Sequence, residues 1–378
     1  VDPREVINHG FWDGPEPQVA GDFPGDPAGL AKIPGLAGQV LFETSGSTGQ
    51  PKWLALSKAA LLGSAAAVNT HLGVNAGSRW GLALPMRHVG GFGVAARAWQ
   101  AGCGLEWMDH RWDPLWFRTW LDARGVTHSS LVPTQVHDLV AASLRAPACL
   151  QAVVVGGGHL DEALGQAARA LGWPVLASYG MTEAASQIAT QSPLDLDSPF
   201  RPAPIPLLPI WRARTTADGL LRISGLALFS GTLGWNGSGW TYQERTGEWW
   251  PTQDRVELVA DGLTPLGRAD ALVKVLGELV DPGGIERELL GLSGGWLRPD
   301  GFVVLAVPDD RTGHALVPVF DASIHAGAIS NLLADYRQRA PGFLRLREPR
   351  LLDDFPRSPL GKPRRAEILR KIAGDPRS

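Results

Sequence analysis

The chain has 378 residues, a formal net charge of −3, 44% hydrophobic and 19% charged residues. That length predicts two or three domains around a core of good size, and the near-neutral balance without a basic stripe excludes a nucleic-acid binder. Two cysteines, Cys103 and Cys149, stand far apart without metal-type spacing, which excludes a disulfide framework and a zinc site. No apolar run has transmembrane length, and Val1-Asp2-Pro3-Arg4 begins no signal peptide, so a cytoplasmic protein with no membrane span is expected. The fifteen tryptophans, Trp107, Trp112, Trp116, Trp120 and Trp249-Trp250 among them, are not interleaved with Lys or Arg and read as packing residues.

In chain order, residues 1–37 are rich in Pro, Gly and Asp and read as loosely structured. Gln39-Val40-Leu41-Phe42 reads as a strand and runs into Thr44-Ser45-Gly46-Ser47-Thr48-Gly49-Gln50-Pro51-Lys52. Glycines there let the backbone approach an anion, successive N–H groups form a nest, and hydroxyls and a lysine add donors and charge. The loop is a phosphate grip, but not a Walker A loop, because Gln50-Pro51 follows Gly49. Strands at 80–84, 127–131, 152–155 and 174–177 then alternate with helices at 57–71, 114–124, 134–145 and 160–171, which predicts a largely parallel, helix-covered sheet. Gly156-Gly157-Gly158 follows the third of these strands, at the end where such sheets bind ligands. Prolines from Pro193 to Pro209 interrupt the alternation, and 210–260 reads as short strands with Gly-rich turns. Beyond Gly267-Arg268-Ala269-Asp270, strands at 271–276, 301–307 and 315–320 mix with helices near 283–290, 324–339 and 363–371. The expected fold is α/β: a large N-terminal domain (1–268) of helix-covered sheets plus a β-rich subdomain, and a small α+β C-terminal domain (269–378).

Five segments carry the chemistry in order: the 44–52 loop, Ser178-Tyr179-Gly180-Met181-Thr182-Glu183, Trp250-Pro251-Thr252-Gln253-Asp254, Gly267-Arg268-Ala269-Asp270 and Pro356-Arg357-Ser358-Pro359-Leu360-Gly361-Lys362. Together they resemble the signature set of the adenylate-forming superfamily of acyl-CoA synthetases, luciferases and peptide-synthetase adenylation domains. The resemblance implies an acid attacking the α-phosphate of ATP with Mg²⁺ present, then transfer of the acyl group to CoA. Carboxylate and triphosphate repel one another, so such a site must supply positive charge and fixed donors. By the resemblance, Thr44, Ser45, Gly46, Ser47, Thr48 and Gly49 grip the β- and γ-phosphates with Lys52 nearby. Tyr179, flanked by Ser178 and Gly180, stacks on adenine, with Gly157 and Gly158 also at the nucleotide. Thr182 meets the α-phosphate, and Glu183 with Thr48 serves Mg²⁺, a cation that prefers hard oxygen ligands. Asp254 and Arg268 hold the ribose, where an acceptor-only carboxylate suits a diol. The family's usual Thr-Gly-Asp is Thr252-Gln253-Asp254 here, a local departure that keeps the aspartate. Lys362, by default a solvated charge near a chain end, becomes the adenylation lysine on a mobile domain, with Asp270 as hinge. Gly277 in Lys274-Val275-Leu276-Gly277-Glu278 leaves room for the pantetheine arm of CoA.

Within the superfamily, Leu84-Pro85-Met86-Arg87-His88-Val89-Gly90-Gly91 and Thr127-His128-Ser129-Ser130-Leu131-Val132-Pro133-Thr134-Gln135 resemble the o-succinylbenzoate–CoA ligases of menaquinone biosynthesis. That acid has two carboxylates, of which only the aliphatic one is activated. The resemblance implies Arg97 as anchor of the aromatic carboxylate, Ser130, Thr134 and Gly156 nearby, and His88 shaping or gating the pocket. The phosphate loop starts only 43 residues into the chain, whereas family members usually have about a hundred residues more before it. Either those elements are dispensable, or a homodimer or another chain supplies the cover. Two other readings compete: another acid–CoA ligase or carrier-protein adenylation enzyme, and a non-catalytic nucleotide-binding derivative. The chain stops at Ser378 without room for a carrier domain, against a peptide-synthetase unit, and intact Lys362, Glu183 and Asp254 speak against the non-catalytic reading.

Overall fold

The structure is a computed structural model that describes residues 1–44, 52–309, 311–358 and 361–373. Its central sheet has six strands in the order Gly104–Trp107, Arg79–Leu82, His128–Leu131, Ala152–Val155, Val175–Met181, Ser186–Thr190. The first five are parallel and the last is antiparallel to its neighbour. A strand covered on both faces needs a continuous apolar run, and Ala152–Val155 is buried at every position. Local chemistry starts and stops the covering helices. Ser57, Asp113 and Asp161 accept backbone N–H bonds at the starts of Lys58–Leu72, Pro114–Arg124 and Glu162–Ala170, and Gly73 and Gly125 close the first two in the left-handed conformation. The strand order turns back at Arg79–Leu82, which pairs with both Gly104–Trp107 and His128–Leu131. Such a reversal opens a crevice at the carboxyl ends of the strands.

A second sheet runs Gln18–Val19, Gln39–Thr44, Lys52–Ser57, Gly231–Trp235, Trp240–Glu244. A third, antiparallel throughout, holds Trp211–Thr215, Leu220–Gly225, Trp250–Val259 and Gly262–Arg268, the β-rich part expected after residue 210. The main core extends from Val6 to Leu263, and separate cores involve Val275–Tyr336 and Val303–Ile372. The C-terminal region joins strands Phe302–Asp309, Gly313–Asp321 and Arg350–Leu352 with helices Pro282–Leu292, Ala326–Arg339 and Arg365–Ala373. A large α/β domain with mixed sheets thus carries a smaller α+β one.

Two expectations are corrected. Residues 1–37 are not loosely structured: Asp2 and Asn8 cap short helices Pro3–Val6 and His9–Asp13, and Gln18–Val19 pairs in parallel with Gln39–Thr44. Phe11 and Trp12 pack on Phe92 at 6.0 and 6.2 Å, and Lys58 Nζ donates to Gly14 O at 2.6 Å. The segment's few apolar residues gain their burial from partners 80 residues away, which local composition does not display. The helix Val89–Ala101 was also absent from the sequence expectation. Gly90, Gly91 and Gly93 lower its propensity, but a Cβ at Gly91 would lie 2.4 Å from Pro85 O, so glycine there permits close packing.

Candidate active site

At the carboxyl ends of the central strands lies a cavity of about 250 Å³. Arg97 forms one wall. It sits on the buried face of Val89–Ala101 at 2% exposure, its Nη1 donates to Ser130 Oγ at 3.1 Å, and its Nη2 to Ser186 Oγ at 3.4 Å. The guanidinium lies 5.2 Å from the centroid of the Trp80 ring. Among the described residues no carboxylate pairs with it, and burial lowers its pKa to about 9. A buried cation satisfied only by hydroxyls and a ring face is costly until an anion joins it. The structure therefore brings Arg97, Ser130 and Gly156 together in one cavity, and adds Ser186. Sequence reasoning missed Ser186, because no motif marks it. Its backbone (φ 106) and that of Ala185 (φ 49) lie in the left-handed region, which non-glycine residues avoid.

His88 caps the start of Val89–Ala101 without a side-chain cap bond, and its Nε2 is buried with no partner among the described residues. Burial lowers its pKa, and Arg87 and Lys362 lower it further, so the ring is neutral at pH 7. Lys362 enters the same cavity from the C-terminal domain. Solvent still reaches the side chain, yet the cleft walls desolvate the ammonium and lower its pKa. The cavity thus has a fixed cation in its depth and a second at its mouth.

A neighbouring cavity of about 510 Å³ shares Gly157 and Lys362 with the first and is also lined by Gly158 and Arg268. Gly157 has φ 74, a conformation that favours glycine. Close by, Tyr179 donates its hydroxyl to Asp254 Oδ2 at 2.5 Å, and burial and Asp254 raise its pKa. Asp254 faces Arg268 across the strand pair, with Nη1 to Oδ1 at 3.5 Å. Arg268 also forks onto Asp270 at 2.8 and 2.7 Å, within the short turn Ala269–Ala271. Ser178, Gly180 and Thr182 complete the edge of the first cavity. A Cβ at Gly180 would lie 1.6 Å from Ser186 O, so the two chains cross there with no room for a side chain.

Glu183 is half-buried, and burial raises its carboxyl pKa, with Asp254 raising it further. No ion pair neutralises it among the described residues. Such a carboxylate gains from a cation, and it fits Mg²⁺, which takes few protein ligands when phosphates are present. Among the described residues no cluster of three or more His, Cys, Asp or Glu could hold a metal by itself.

Other sequence-selected residues fall elsewhere. Thr134 is not beside Arg97 but lines the 510 Å³ cavity: it lies at the start of Pro133–Ala141, against the C-terminal segment, where a Cβ at Gly361 would be 3.2 Å from its Oγ1. Gly277 is not at either cavity. It forms the turn between Val273–Val275 and Glu278–Val280, with φ 88 and open space around it. Thr44 and Lys52 close the hairpin of Gln39–Thr44 and Lys52–Ser57, with Thr44 Oγ1 donating to Lys52 O at 3.2 Å. Ser45, Gly46, Ser47, Thr48 and Gly49 lie outside the described residues.

Two adjoining cavities with Lys362 at both thus open at the carboxyl ends of the parallel strands, and the fold is of the adenylate-forming class. A family model for AMP-binding enzymes matches residues 40–209. The chain is 30% identical over 300 residues to the 2-succinylbenzoate–CoA ligase of Escherichia coli (strain K12), covering 77% of this chain and 60% of that one. A solved structure of an arginine-to-lysine variant of E. coli MenE with bound OSB-AMS is similar at a TM-score of 0.71 and 25% identity, over 88% of this chain and 68% of that one. The amide bond synthetase McbA of Marinactinospora thermotolerans shares the fold at a TM-score of 0.72 and 20% identity, over 89% and 70%. The chain belongs to the AMP-binding, adenylate-forming superfamily. It spans about 60% of the length of the first curated relatives it matches.

Proposed function

We propose that this protein is an AMP-forming acid–CoA ligase whose acid is o-succinylbenzoate, serving menaquinone synthesis. The observation that carries the reading is Arg97: a fully buried guanidinium, hydroxyl-bound but without a carboxylate, opposite Lys362. A cavity with a cation at each end suits an acid with two carboxylates. One carboxylate takes Arg97, and the other is left beside Lys362 for reaction. The similarity to 2-succinylbenzoate–CoA ligases supports the same acid.

In the first half-reaction an oxygen of the free carboxylate attacks the α-phosphorus of ATP, and the bond to pyrophosphate breaks. Lys362 and Thr182 stabilise the charge that gathers on the α-phosphate. Asp254 and Arg268 hold the ribose hydroxyls, and Tyr179, fixed by Asp254, offers its ring to the adenine. Glu183 would hold Mg²⁺, which supplies charge neutralisation at the leaving phosphates. In the second half-reaction the CoA sulfur attacks the acyl carbon and AMP leaves. Neutral His88 stands at the mouth of the acid pocket and shapes it. Asp270 is the hinge on which the C-terminal domain (269–378) turns relative to 1–268, carrying Lys362 out and bringing Gly277 toward the thiol.

Incubation with ATP, Mg²⁺, CoA and a panel of mono- and dicarboxylic acids tests this reading, with pyrophosphate release and thioester mass as readouts. Selective formation of o-succinylbenzoyl-CoA is expected. Preference for a monocarboxylic acid would overturn the assigned acid, and absence of pyrophosphate with every acid would overturn the ligase reading. Among the described residues no helix is long and apolar enough to cross a membrane.

A further inference from the structure

The segment bearing Lys362 is held on both sides by charged groups of its own domain. Before it, Arg357 donates from Nε to Asp300 O at 2.8 Å and from Nη2 to Asp321 Oδ2 at 2.7 Å. After it, Arg365 donates from Nη1 to Val304 O at 3.0 Å and from Nη2 to Glu286 Oε2 at 2.5 Å. These bonds fix the lysine relative to the small domain but leave that domain's orientation open.

Arg298 provides the link. Its Nε and Nη2 fork onto the two carboxylate oxygens of Asp300 at 3.0 and 3.3 Å. Its Nη1 reaches across the junction to Asp138 Oδ1 at 3.0 Å. Asp138 is itself oriented by Trp112, whose Nε1 donates to Oδ2 at 2.9 Å. Burial pulls the Asp138 carboxyl up, but the nearby His137 ring, the bond from Trp112 and the charge of Arg298 outweigh it and leave the pKa low. Asp138 and Thr134 are one turn apart on Pro133–Ala141 and share a face. That same face receives Gly361, whose Cβ position lies 3.2 Å from Thr134 Oγ1 and 3.5 Å from Asp300 Oδ2. The ion pair and the neighbour of Lys362 therefore dock on one helix. Another polar contact between the two regions, Arg287 Nη2 to Leu266 O at 2.8 Å, lies next to the chain connection, where rotation moves atoms least.

We propose that Arg298 is a positioning residue, which through Asp138 latches the small domain in the orientation that presents Lys362 to the acid cavity. The inference rests on the ligase reading for its kinetic consequence. The latch favours the first half-reaction and must open for the second, so removing it shifts the population between orientations. Arg298 is partly exposed, with 45% of its side-chain area accessible, so the pair is screened and its opening is easy.

The test combines kinetics with a distance. In Arg298→Ala and Asp138→Asn, acid-dependent ATP–pyrophosphate exchange is expected to fall about three- to fivefold. Thioester formation from supplied acyl-adenylate and CoA is expected to hold or rise. The charge-swapped pair Asp138→Arg with Arg298→Asp is expected to recover part of the exchange. Spin labels at Ser238 and Ser330, with Cys103 and Cys149 replaced by serine, report the orientation by dipolar spectroscopy. A single narrow distance in the otherwise native chain, broadened by Arg298→Ala, supports the latch. Equal losses in both half-reactions, or identical distance distributions, would overturn it. If the native chain exchanges no pyrophosphate with any acid, the ligase reading fails, and the distances still decide whether the latch exists.

Discussion

Replacing Arg97 with methionine should stabilise the unliganded protein while destroying its use of a diacid. Burial takes the guanidinium from its ordinary, strongly basic value down to about 9, with no carboxylate partner among the described residues. At about 1.36 kcal/mol per factor of ten, that is about 4–5 kcal/mol of unfavourable burial of charge. Methionine relieves it but leaves the Ser130 and Ser186 hydroxyls each short of a donor, about 1 kcal/mol apiece. It also loses the contact with the Trp80 face, about 1 kcal/mol. The net gain is on the order of 1–2 kcal/mol, or about 3 °C in the first thermal transition. The sign with pH follows from the direction of the shift. A base whose folded pKa is depressed binds fewer protons folded than unfolded from about 9 up to its ordinary value. Native stability therefore gains over that window relative to the variant, and the Tm advantage of Arg97→Met should shrink as pH rises from 8 to 10.5. In the same variant kcat/KM for o-succinylbenzoate should fall about 100-fold or more, from loss of a buried charge partner. Scanning calorimetry at several pH values and pyrophosphate assays read both. A Tm drop of more than about 2 °C, or diacid turnover within about threefold of native, would refute the reasoning and make Arg97 a structural group.

Further consequences can be checked together. Lys362→Ala should reduce adenylation at least about 100-fold while sparing thioester formation from supplied acyl-adenylate, as measured by separate half-reaction assays. Because desolvation lowers the Lys362 pKa below 10.5, the native adenylation rate should decline on the alkaline side as the ammonium deprotonates, and the variant should lack that decline. Tyr179→Phe removes a 2.5 Å bond to a carboxylate and should cost about 1.5–3 kcal/mol of stability, with ATP affinity weakened several-fold in calorimetric titration. Gly180→Ala would place a Cβ 1.6 Å from Ser186 O and should prevent native pairing of Val175–Met181 with Ser186–Thr190, visible as lost soluble expression or a collapsed Tm. Normal folding and activity in that variant would show that the crossing is slack.

Local chemistry was readable where one segment contains its own cause. The apolar run Ala152–Val155 needed no partner to be recognised as a strand, and the helix expected at 114–124 is Pro114–Arg124 in the structure, capped by its own neighbours Asp113 and Gly125. The order of the five motifs likewise carried the class of reaction, since each pairs a glycine or hydroxyl with a charge over a few positions. Tertiary structure decided the rest. The helix Val89–Ala101 forms against its glycines because close packing on Pro85 repays their poor propensity, and only that helix turns Arg97 inward. Ser186 joins the acid cavity because the chain reverses after Thr182–Ala184 and crosses Gly180. Thr134, three residues beyond the strand that carries Ser130, begins a helix whose start meets the second domain instead. Phe11 and Trp12 fold the proline-rich opening segment onto Phe92. In each of these cases the deciding contact joins residues distant in sequence or depends on the direction a side chain takes from its element. The free energy of such contacts comes from burial and complementary charge across the fold, which no window of the sequence contains.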